Sequence, residues 1–231
     1  MAAAALAAGL MFASAPALAQ DDPLKALQEL IRLEQSQPQF GGVTPAIGGD
    51  LNSLVAPSPA EVAVQIDQQP GDTQEERAGA YIKQVERRLA LEPGAQPLYD
   101  ALALAQAYTR HAGSIQVYVR GQRVDFDVQP VIVGGRTLVP IRYVVERLGG
   151  QVGWNQERLT VTVTLGQTRV EVVQDSTAAR VNGRPVTLDV AATIIDGRTM
   201  VPLRFVSESL NQQVDYHPGS AGTAVISIVS K

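Results

Sequence analysis

The sequence contains no cysteine and only two histidines, His111 and His217, among 231 residues. Without cysteine the chain can form neither a disulfide nor a thiolate metal site, and it has no cysteine nucleophile. No G-x-S-x-G nucleophile pattern and no phosphate-binding glycine loop occurs either. Aromatic residues make up 5% of the chain, and Trp154 is the single tryptophan. The absences therefore exclude several of the commonest enzyme classes.

Charge is also scarce. The net charge is −4, with 18% charged and 45% hydrophobic residues, which is typical of a soluble globular protein of one or two domains. This balance predicts no general affinity for nucleic acid or for an anionic membrane. After residue 19 no apolar run is long enough to span a bilayer, so we expect no transmembrane segment in the mature chain.

Residues 1–19 have the pattern of a secretory signal peptide. An almost wholly small and apolar run ends at Pro16, and Ala17-Leu18-Ala19 has the small residues of an A-x-A cleavage site. The run lacks a preceding lysine or arginine, and a retained amino-terminal anchor is the alternative. We therefore predict export to the periplasm, cell envelope or extracellular space, with a mature chain that begins at Gln20.

Residues 20–73 are expected to form a short helix, at 23–33, followed by a low-complexity linker rich in glycine, proline, serine and glutamine. Residues 74–113 then show helical periodicity on both sides of Glu92-Pro93-Gly94, which predicts a helical hairpin. The hairpin resembles a tetratricopeptide unit. A single unit cannot bury its own apolar face, so docking on the rest of the chain is the preferred interpretation over a peptide-binding repeat.

The second half of the sequence contains an internal repeat. Residues 119–154 match residues 181–216 without a gap, with 17 identities in 36 positions. The core of the match is Gly-Arg-Thr-Leu/Met-Val-Pro-Ile/Leu-Arg, at 135–142 and again at 197–204. A long self-match at a fixed period of 62 residues indicates a duplicated module.

Each copy predicts the same local structure. A short strand leads into Pro140 or Pro202, which suits the first position of a helix because proline has no N–H to satisfy there. A helix of two to three turns follows, near 140–148 and 202–210, and stops at Gly149 or Asn211, residues that tolerate a left-handed backbone. Asn182-Gly183 predicts a tight hairpin turn. The predicted fold class is α+β: two tandem repeats of a small antiparallel sheet packed on a short helix, in residues 114–231, after a flexible linker and a helical hairpin.

Residues 115–229 resemble the copper amine oxidase N-terminal domain-like family, also called the stalk domain, in two tandem copies. The resemblance rests on Val-Asn-Gly, on Arg-Thr-Leu/Met-Val-Pro-Ile/Leu-Arg, on the helix ending in Leu-Gly-Gly, and on Val-Gly-Trp-Asn. It implies an antiparallel sheet wrapped around a short helix. In the oxidases this domain is a peripheral stalk without chemistry, and elsewhere it occurs on exported bacterial proteins. The oxidase chemistry needs three copper-binding histidines, which this chain lacks, so we expect no amine oxidase activity, no metal and no cofactor.

Candidate functional residues come from the repeated positions. Trp154 and Tyr216 follow the two helices at equivalent places, and we interpret them as core anchors or, alternatively, as a sugar-stacking platform. We expect the charged pairs at helical spacing to form a structural clamp, with Asp127 and Asp189 as further members. The residues assigned to the structural motif are Arg136, Pro140, Arg142, Glu146, Arg198, Pro202, Arg204 and Glu208.

Two functions from different classes fit these observations. The first is a non-catalytic exported envelope module, a scaffold or adhesion protein that binds an envelope protein or a cell-wall polymer. The second is a secreted cell-wall-associated enzyme, or its regulatory subunit, with an unrecognised site in residues 74–114 or between the halves. His111 and Asp100 are the main chemical groups in the region 74–114. No catalytic residue is assigned.

Overall fold

The computed structural model describes residues 55–231, so the expected signal peptide 1–19 and the short helix at 23–33 lie outside the described residues. The described chain begins with three helices: α1 Pro59–Asp67, α2 Gln74–Leu89 and α3 Gln96–Gln106. Ser58 and Thr73 cap α1 and α2 with reciprocal capping boxes, because each hydroxyl accepts a backbone N–H three residues on while a glutamate accepts the cap's own N–H. No helix within residues 55–231 is long and apolar enough to cross a membrane.

Helix α1 corrects the expected linker over 20–73. Ser58-Pro59-Ala60-Glu61 is a capping-box sequence with proline in the first turn, a combination that favours helix initiation. The helix then buries Val62 and Ile66, which are four residues apart and so lie on one face. The glycine- and proline-rich composition of the surrounding residues obscured this local signal. The helical layer therefore contains three helices rather than a hairpin alone.

The remainder of the described chain is built from thirteen strands and two short helices. The helices are α4 Ile141–Arg147 and α5 Leu203–Ser209. The strands are β1 Ile115–Val119, β2 Gln122–Arg123, β3 Val131–Val133, β4 Arg136–Pro140, β5 Gln151–Asn155, β6 Thr160–Leu165, β7 Thr168–Val173, β8 Ala178–Val181, β9 Arg184–Thr187, β10 Thr193–Ile195, β11 Arg198–Pro202, β12 Gln212–Pro218 and β13 Ala224–Ser230. Helix and sheet are mixed, as the sequence predicts.

The strands form three sheets, and each sheet takes strands from both halves of the repeat. The first sheet has the order β12-β13-β1-β2, the central sheet β10-β11-β4-β3, and the third sheet β5-β6-β7-β8-β9. The first sheet is mixed, since β1 and β13 pair in parallel while its other pairs are antiparallel. This corrects the expectation that each repeat has its own antiparallel sheet around its own helix.

The two halves of the repeat exchange strands because they share one hydrophobic core. A single hydrophobic cluster contains buried residues from both helices and from all three sheets, including Val144 of α4, Val206 of α5, Val163 of β6 and Ile228 of β13. A half of this size has short strands and one seven-residue helix, and would bury too little apolar surface to be stable alone. By sharing strands, the two halves enclose a core that neither could form by itself.

The central sheet shows how the halves are related. Strand β4 pairs antiparallel with β11, and Val139 lies opposite Val201, its own equivalent in the repeat. On either side, Leu138 pairs with Pro202 and Pro140 with Met200, so the register is symmetric about that central pair. Such a register places the two strand–proline–helix segments around a local pseudo-twofold axis.

The predicted helix boundaries are close to those observed. Gly149 (φ +87°) and Asn211 (φ +58°) are left-handed and follow the ends of α4 and α5, which confirms the predicted stop signals. The prolines differ by one position from the prediction. Pro140 has ψ 103° and Pro202 has ψ 114°, so each closes a strand and acts as the residue before the helix rather than its first helical residue.

The helical layer packs on the first sheet. A second hydrophobic cluster joins α1, α2 and α3 to Tyr118 of β1 and Val225 of β13. Gly121, in the turn between β1 and β2, lies against the carboxyl end of α2, where an added Cβ would overlap the Leu89 carbonyl. The apolar faces of the three helices are therefore covered by the sheet that contains both ends of the repeat.

Candidate functional site

Trp154 and Tyr216 lie on the surface, so their interpretation as core anchors is wrong. Trp154 is 40% exposed and Tyr216 is 51% exposed. They belong to β5 and β12, which pair on one side only and form edges of the third and first sheets. An aromatic side chain on the outer face of an edge strand is not covered by another helix or sheet. The spacing of residues along the sequence does not show which strands lie at sheet edges.

Trp154 lines a cavity of about 580 Å³, which we call the Trp154 groove. One side consists of the start of α4 and strand β5, and the other consists of the β10–β11 hairpin from the second half of the repeat. The residues that define its chemistry are Arg142, Trp154, Gln156, Leu159, Ile194 and Arg198. The Trp154 Nε1–H donates to Gln156 Oε1 at 2.9 Å, so the indole edge is occupied while part of the ring surface remains exposed.

Tyr216 lines an equivalent cavity of about 640 Å³, the Tyr216 groove. It lies between the start of α5 with strand β12 and the β3–β4 hairpin of the first half. Its defining residues are Ile132, Arg136, Asp189, Arg204, Glu208 and Tyr216. Four pairs match across the grooves at the 62-residue period: Arg142 with Arg204, Trp154 with Tyr216, Ile194 with Ile132, and Arg198 with Arg136.

Apolar side chains are exposed in both grooves. Ile194 is 44% exposed in the Trp154 groove, and Ile132 is 61% exposed in the Tyr216 groove. Both isoleucines lie on the short edge strands of the central sheet. Exposed large apolar residues that gather in a concave surface are typical of sites that bind a ligand or a partner.

The repeated arginines form two kinds of ion pair. Arg198 Nη2 lies 2.6 Å from Asp127 Oδ2, and Arg136 Nε lies 2.8 Å from Asp189 Oδ2, so each half holds an aspartate of the other. The Arg198 hydrogen bond holds the pKa of Asp127 below its ordinary value, and the same bond raises the pKa of Arg198. The clamp residues are thus Arg136 and Arg198, which cross between the halves.

The pairs within the helices are looser. Arg142 Nη1 lies 3.5 Å from Glu146 Oε1, and Arg204 Nη1 lies 3.7 Å from Glu208 Oε1, with all four side chains at least half exposed. Exposed pairs of this kind contribute about 0–1 kcal/mol. Arg142 and Arg204 can therefore leave these partners for a ligand at little cost.

A constellation of serine, histidine and aspartate also forms, although no sequence motif indicates it. His217 Nδ1 lies 2.7 Å from Asp100 Oδ1, and His217 Nε2 lies 3.0 Å from Ser227 Oγ. The distances match those of a hydrolase triad. Ser227, however, is fully buried in the middle of β13, with strands on both sides, so a substrate has no approach to its hydroxyl. The network connects α3 to the first sheet and serves as a structural bridge.

The groups proposed for an enzyme site in residues 74–114 do not converge. Asp100 belongs to the buried bridge, whereas His111 lies beyond the end of α3 beside a cavity of about 840 Å³ between the helices and the β1–β2 turn. In that cavity Glu86 accepts the Tyr118 hydroxyl at 2.8 Å, and Arg123 pairs with Asp125 at 3.0 Å. These three charged groups of the cavity, Glu86, Arg123 and Asp125, therefore have partners within the protein.

Metal binding has no support in the described part of the chain. Residues 55–231 contain no group of three or more histidine, aspartate or glutamate side chains that could hold a metal ion. The two histidines lie far apart in the sequence. His217 is buried, and both of its ring nitrogens are occupied by hydrogen bonds to Asp100 and Ser227. Copper needs a converging set of nitrogen or sulfur ligands, and this pair does not supply one.

Comparison with known families gives one match. The family model of the copper amine oxidase N-terminal domain matches residues 118–225, a non-catalytic domain of those enzymes. The match is one continuous stretch from β1 to β13, so it covers both repeats once and does not confirm two copies of the family domain. No curated protein matches the chain.

Proposed function

We propose that the protein is a non-catalytic binding module exported to the cell envelope, where its two grooves hold an envelope protein or a cell-wall polymer. The observation that carries this proposal is the pair of equivalent grooves, each formed by both halves and each presenting an exposed aromatic ring beside exposed isoleucine and arginine. The family match supports the absence of catalysis, because the matched domain is a non-catalytic one.

Export rests on the sequence of residues 1–19. The Ala17-Leu18-Ala19 site would place the mature protein outside the cytoplasmic membrane, with Gln20 as its first residue. Mass spectrometry of the chain recovered from envelope fractions checks this part. Recovery of a cytosolic protein that still carries residues 1–19 would contradict it.

The duplication belongs to the same proposal. The 62-residue period, the symmetric β4–β11 register and the matching grooves support an origin by tandem duplication, in which each repeat became half of one domain. A module of this kind presents two similar binding surfaces from one short sequence. Two surfaces can engage neighbouring units of a repetitive partner and so increase the overall affinity.

The test is co-sedimentation of residues 20–231 with purified peptidoglycan and, separately, with envelope membranes. We expect retention on one of these materials, and a clear loss of retention when Trp154 and Tyr216 are both changed to alanine. Leu91→Ala is the matched control, because Leu91 is highly exposed but lies outside the grooves. The proposal would be contradicted if the protein bound neither material, or if the double variant were retained as well as the natural chain.

The enzyme alternative is less well supported. Its best constellation is Asp100–His217–Ser227, whose serine is fully buried. A hydrolase would need this hydroxyl within reach of a substrate carbonyl.

A further inference from the structure

The cavity of about 840 Å³ beside His111, which we call the α2 cavity, is lined by three separate segments. They are one face of α2, the residues at and after the end of α3, and strand β2 with the turn before it. Gly79, Lys83 and Arg87 follow one another at intervals of four residues, so they lie on the same side of α2. Among residues 55–231, nothing but the backbone of α2 itself lies within 4 Å of an added Cβ at Gly79, so the space beside the two cations is open.

Three cations of the α2 cavity have no acidic partner within the described residues. Lys83, Arg87 and Arg110 belong to its lining, and none of them lies within 4.0 Å of a carboxylate in the described part of the chain. In the Trp154 and Tyr216 grooves, by contrast, each arginine already pairs with an aspartate or a glutamate. An anion that enters the α2 cavity therefore meets positive charges without first displacing a carboxylate.

The carboxylates of the α2 cavity do not cancel these charges. Glu75 Oε1 accepts the backbone N–H of Arg110 at 3.4 Å, and Glu86 Oε1 accepts the Tyr118 hydroxyl at 2.8 Å. With the ion pair described above, the lining contains four permanent cations and three carboxylates. The net charge of the lining is therefore positive.

The positive charge reaches His111, which is half-buried in the same lining. Burial is the main cause that lowers the pKa of the His111 imidazole, and Arg123 and Arg110 lower this pKa further. Glu75 and Asp125 act in the opposite sense, and each of them acts less than either arginine. The imidazole therefore responds to the charges around the cavity, and an anion bound there would raise its pKa.

A buried hydrogen-bond acceptor belongs to the same lining. Gln106 is fully buried at the end of α3, and its Nε2 donates to the Tyr118 hydroxyl oxygen at 3.5 Å. The Gln106 Oε1 is buried and has no hydrogen-bond partner within residues 55–231. A buried acceptor without a donor is unfavourable, so a ligand that donates to Gln106 gains this interaction in addition to the attraction between charges.

We infer that the α2 cavity binds a phosphate monoester of a small polyol. The phosphate would lie against Lys83, Arg87 and Arg110, and a hydroxyl of the polyol would donate to Gln106 Oε1. The cavity volume lies within the range of about 300–1,000 Å³ that is usual for small-ligand sites.

The two parts of this ligand follow from the two kinds of unpaired group. A phosphate monoester carries about 1.5 to 2 negative charges at pH 7 and three acceptor oxygens, which suits three free cations better than the single charge of a carboxylate. The donor for Gln106 should be neutral, because an ammonium would be repelled by the same cations. A hydroxyl meets this requirement.

The chain contains its own probe for a test, because His111 and His217 are its only histidines. His217 is buried, and both of its ring nitrogens are hydrogen-bonded. Residues 20–231 would be titrated with glycerol 3-phosphate in a buffer without phosphate, while the imidazole C–H resonances are recorded by NMR. We expect a saturable shift of the His111 resonance and a higher His111 pKa in the complex, whereas the His217 resonance should not move.

Three further compounds test the parts of the ligand separately. Inorganic phosphate lacks the polyol, glycerol lacks the phosphate, and glycerate has a carboxylate in place of the phosphate. We expect binding about tenfold weaker for inorganic phosphate and for glycerate, and no saturable shift with glycerol.

Variants test the residues of the α2 cavity. Arg87→Gln should weaken the binding of glycerol 3-phosphate and of inorganic phosphate alike, by about tenfold, because it removes one of the cations. Arg184→Gln is the matched control and should leave binding unchanged, since Arg184 lies exposed on β9 outside the cavity. Gln106→Met has a side chain of similar length without the acceptor, so it should abolish the preference for glycerol 3-phosphate over inorganic phosphate. Melting temperatures show whether each variant is folded, and the comparison of the four compounds on the natural chain does not depend on any variant.

The inference would be overturned if glycerate or inorganic phosphate bound the natural chain as tightly as glycerol 3-phosphate. It would also be overturned if the Arg87→Gln and Arg184→Gln variants bound equally well, because the attraction would then be a general property of the surface. The result does not bear on the proposed function, since the α2 cavity shares no lining residue with either groove.

Discussion

At the scale of single residues, the repeat supplies its own controls, because equivalent positions share a backbone but not their surroundings. Gly121 and Gly183 occupy the same place in two hairpin turns, with φ of +77° and +79°. A Cβ at Gly121 would overlap the end of α2, whereas a Cβ at Gly183 would meet no atom within 4 Å. The comparison isolates the contact between the helical layer and the first sheet.

We therefore expect Gly121→Ala to lower the free energy of unfolding on the order of 3 kcal/mol, from left-handed strain plus the collision with Leu89. Gly183→Ala should cost only the strain, about 1 kcal/mol. Urea denaturation of the two variants measures the difference. Equal losses would mean that the turn does not lie against α2 in solution.

A second residue-scale prediction concerns the Arg198–Asp127 pair. Its hydrogen bonds lower the pKa of Asp127 below the ordinary 3.8, so the pair stabilises the fold above that pH. As the pH falls through the lowered pKa, the carboxylate is protonated and the stabilisation is lost. Asp127→Asn should therefore be less stable than the natural chain at pH 7, and the difference should shrink in strong acid.

Thermal melts of both proteins at a series of pH values measure this narrowing gap. Tyr143→Phe is the matched control, because the Tyr143 hydroxyl is a smaller cause of the lowered pKa of Asp127 and the repeat has Phe205 at the equivalent position. It should keep most of the pH dependence, since Arg198 is the larger cause. A gap between Asp127→Asn and the natural chain that stays constant with pH would contradict the assignment.

At the scale of elements, the two prolines set the corners between strand and helix. Pro202 ends β11, precedes α5 and is buried against the core, with a fixed φ of −56°. Glycine in its place would enlarge the conformational freedom of the unfolded chain and leave a space at the corner. Pro202→Gly should therefore lower the free energy of unfolding by about 1 kcal/mol from the entropy term, and by more through lost packing.

Pro185→Gly provides the control for this prediction, because Pro185 lies exposed on the edge strand β9. Pro185→Gly should lose only the stability that corresponds to the greater conformational entropy of its unfolded state. Chemical denaturation of both variants gives the comparison. A loss for Pro202→Gly no greater than that for Pro185→Gly would show that the corner adds nothing to stability.

Local elements are also where the sequence was most informative. The turn at Asn182-Gly183, the helix ends at Gly149 and Asn211, and the short helices after the prolines depend on residues within a few positions, so local chemistry predicts them. Helix α1 was missed for a different reason. Its capping box was present in the sequence, but the composition around it suggested a linker.

The candidate site was only partly predictable from the sequence. The repeat identified Trp154, Tyr216 and the arginines as equivalent positions, but not the side of the sheet that they occupy. Their exposure follows from the places of β5 and β12 at sheet edges, which depend on pairing between distant strands. The buried bridge through His217 is of the same kind, since Asp100 lies 117 residues earlier. The periodicity of a sequence does not reveal contacts between residues that are so far apart along the chain.

At the scale of the whole molecule, the decisive feature is the exchange of strands between the halves. Strand β1 begins the repeat region and pairs with β13, which ends it, while β5 and β6 join the same sheet as β8 and β9 of the second half. The family match is consistent with this arrangement, because it runs once across both repeats. Each groove is likewise formed by residues of both halves, so the proposed binding requires the intact domain.

The exchange predicts that neither half folds alone. A fragment of residues 55–166 would lack β13 beside β1 and β11 beside β4, and a fragment of residues 167–231 would lack β1, β4 and β6. Each fragment would expose part of the shared core, and neither would bury enough apolar surface to offset the loss of conformational entropy.

Far-UV circular dichroism during heating should show no cooperative transition for either fragment, whereas residues 55–231 should unfold in one step. Mixing the fragments should restore the transition, because they contain all the strands between them. A sigmoidal melt for either fragment alone would show that a half-repeat has a core of its own, contrary to the strand pairing.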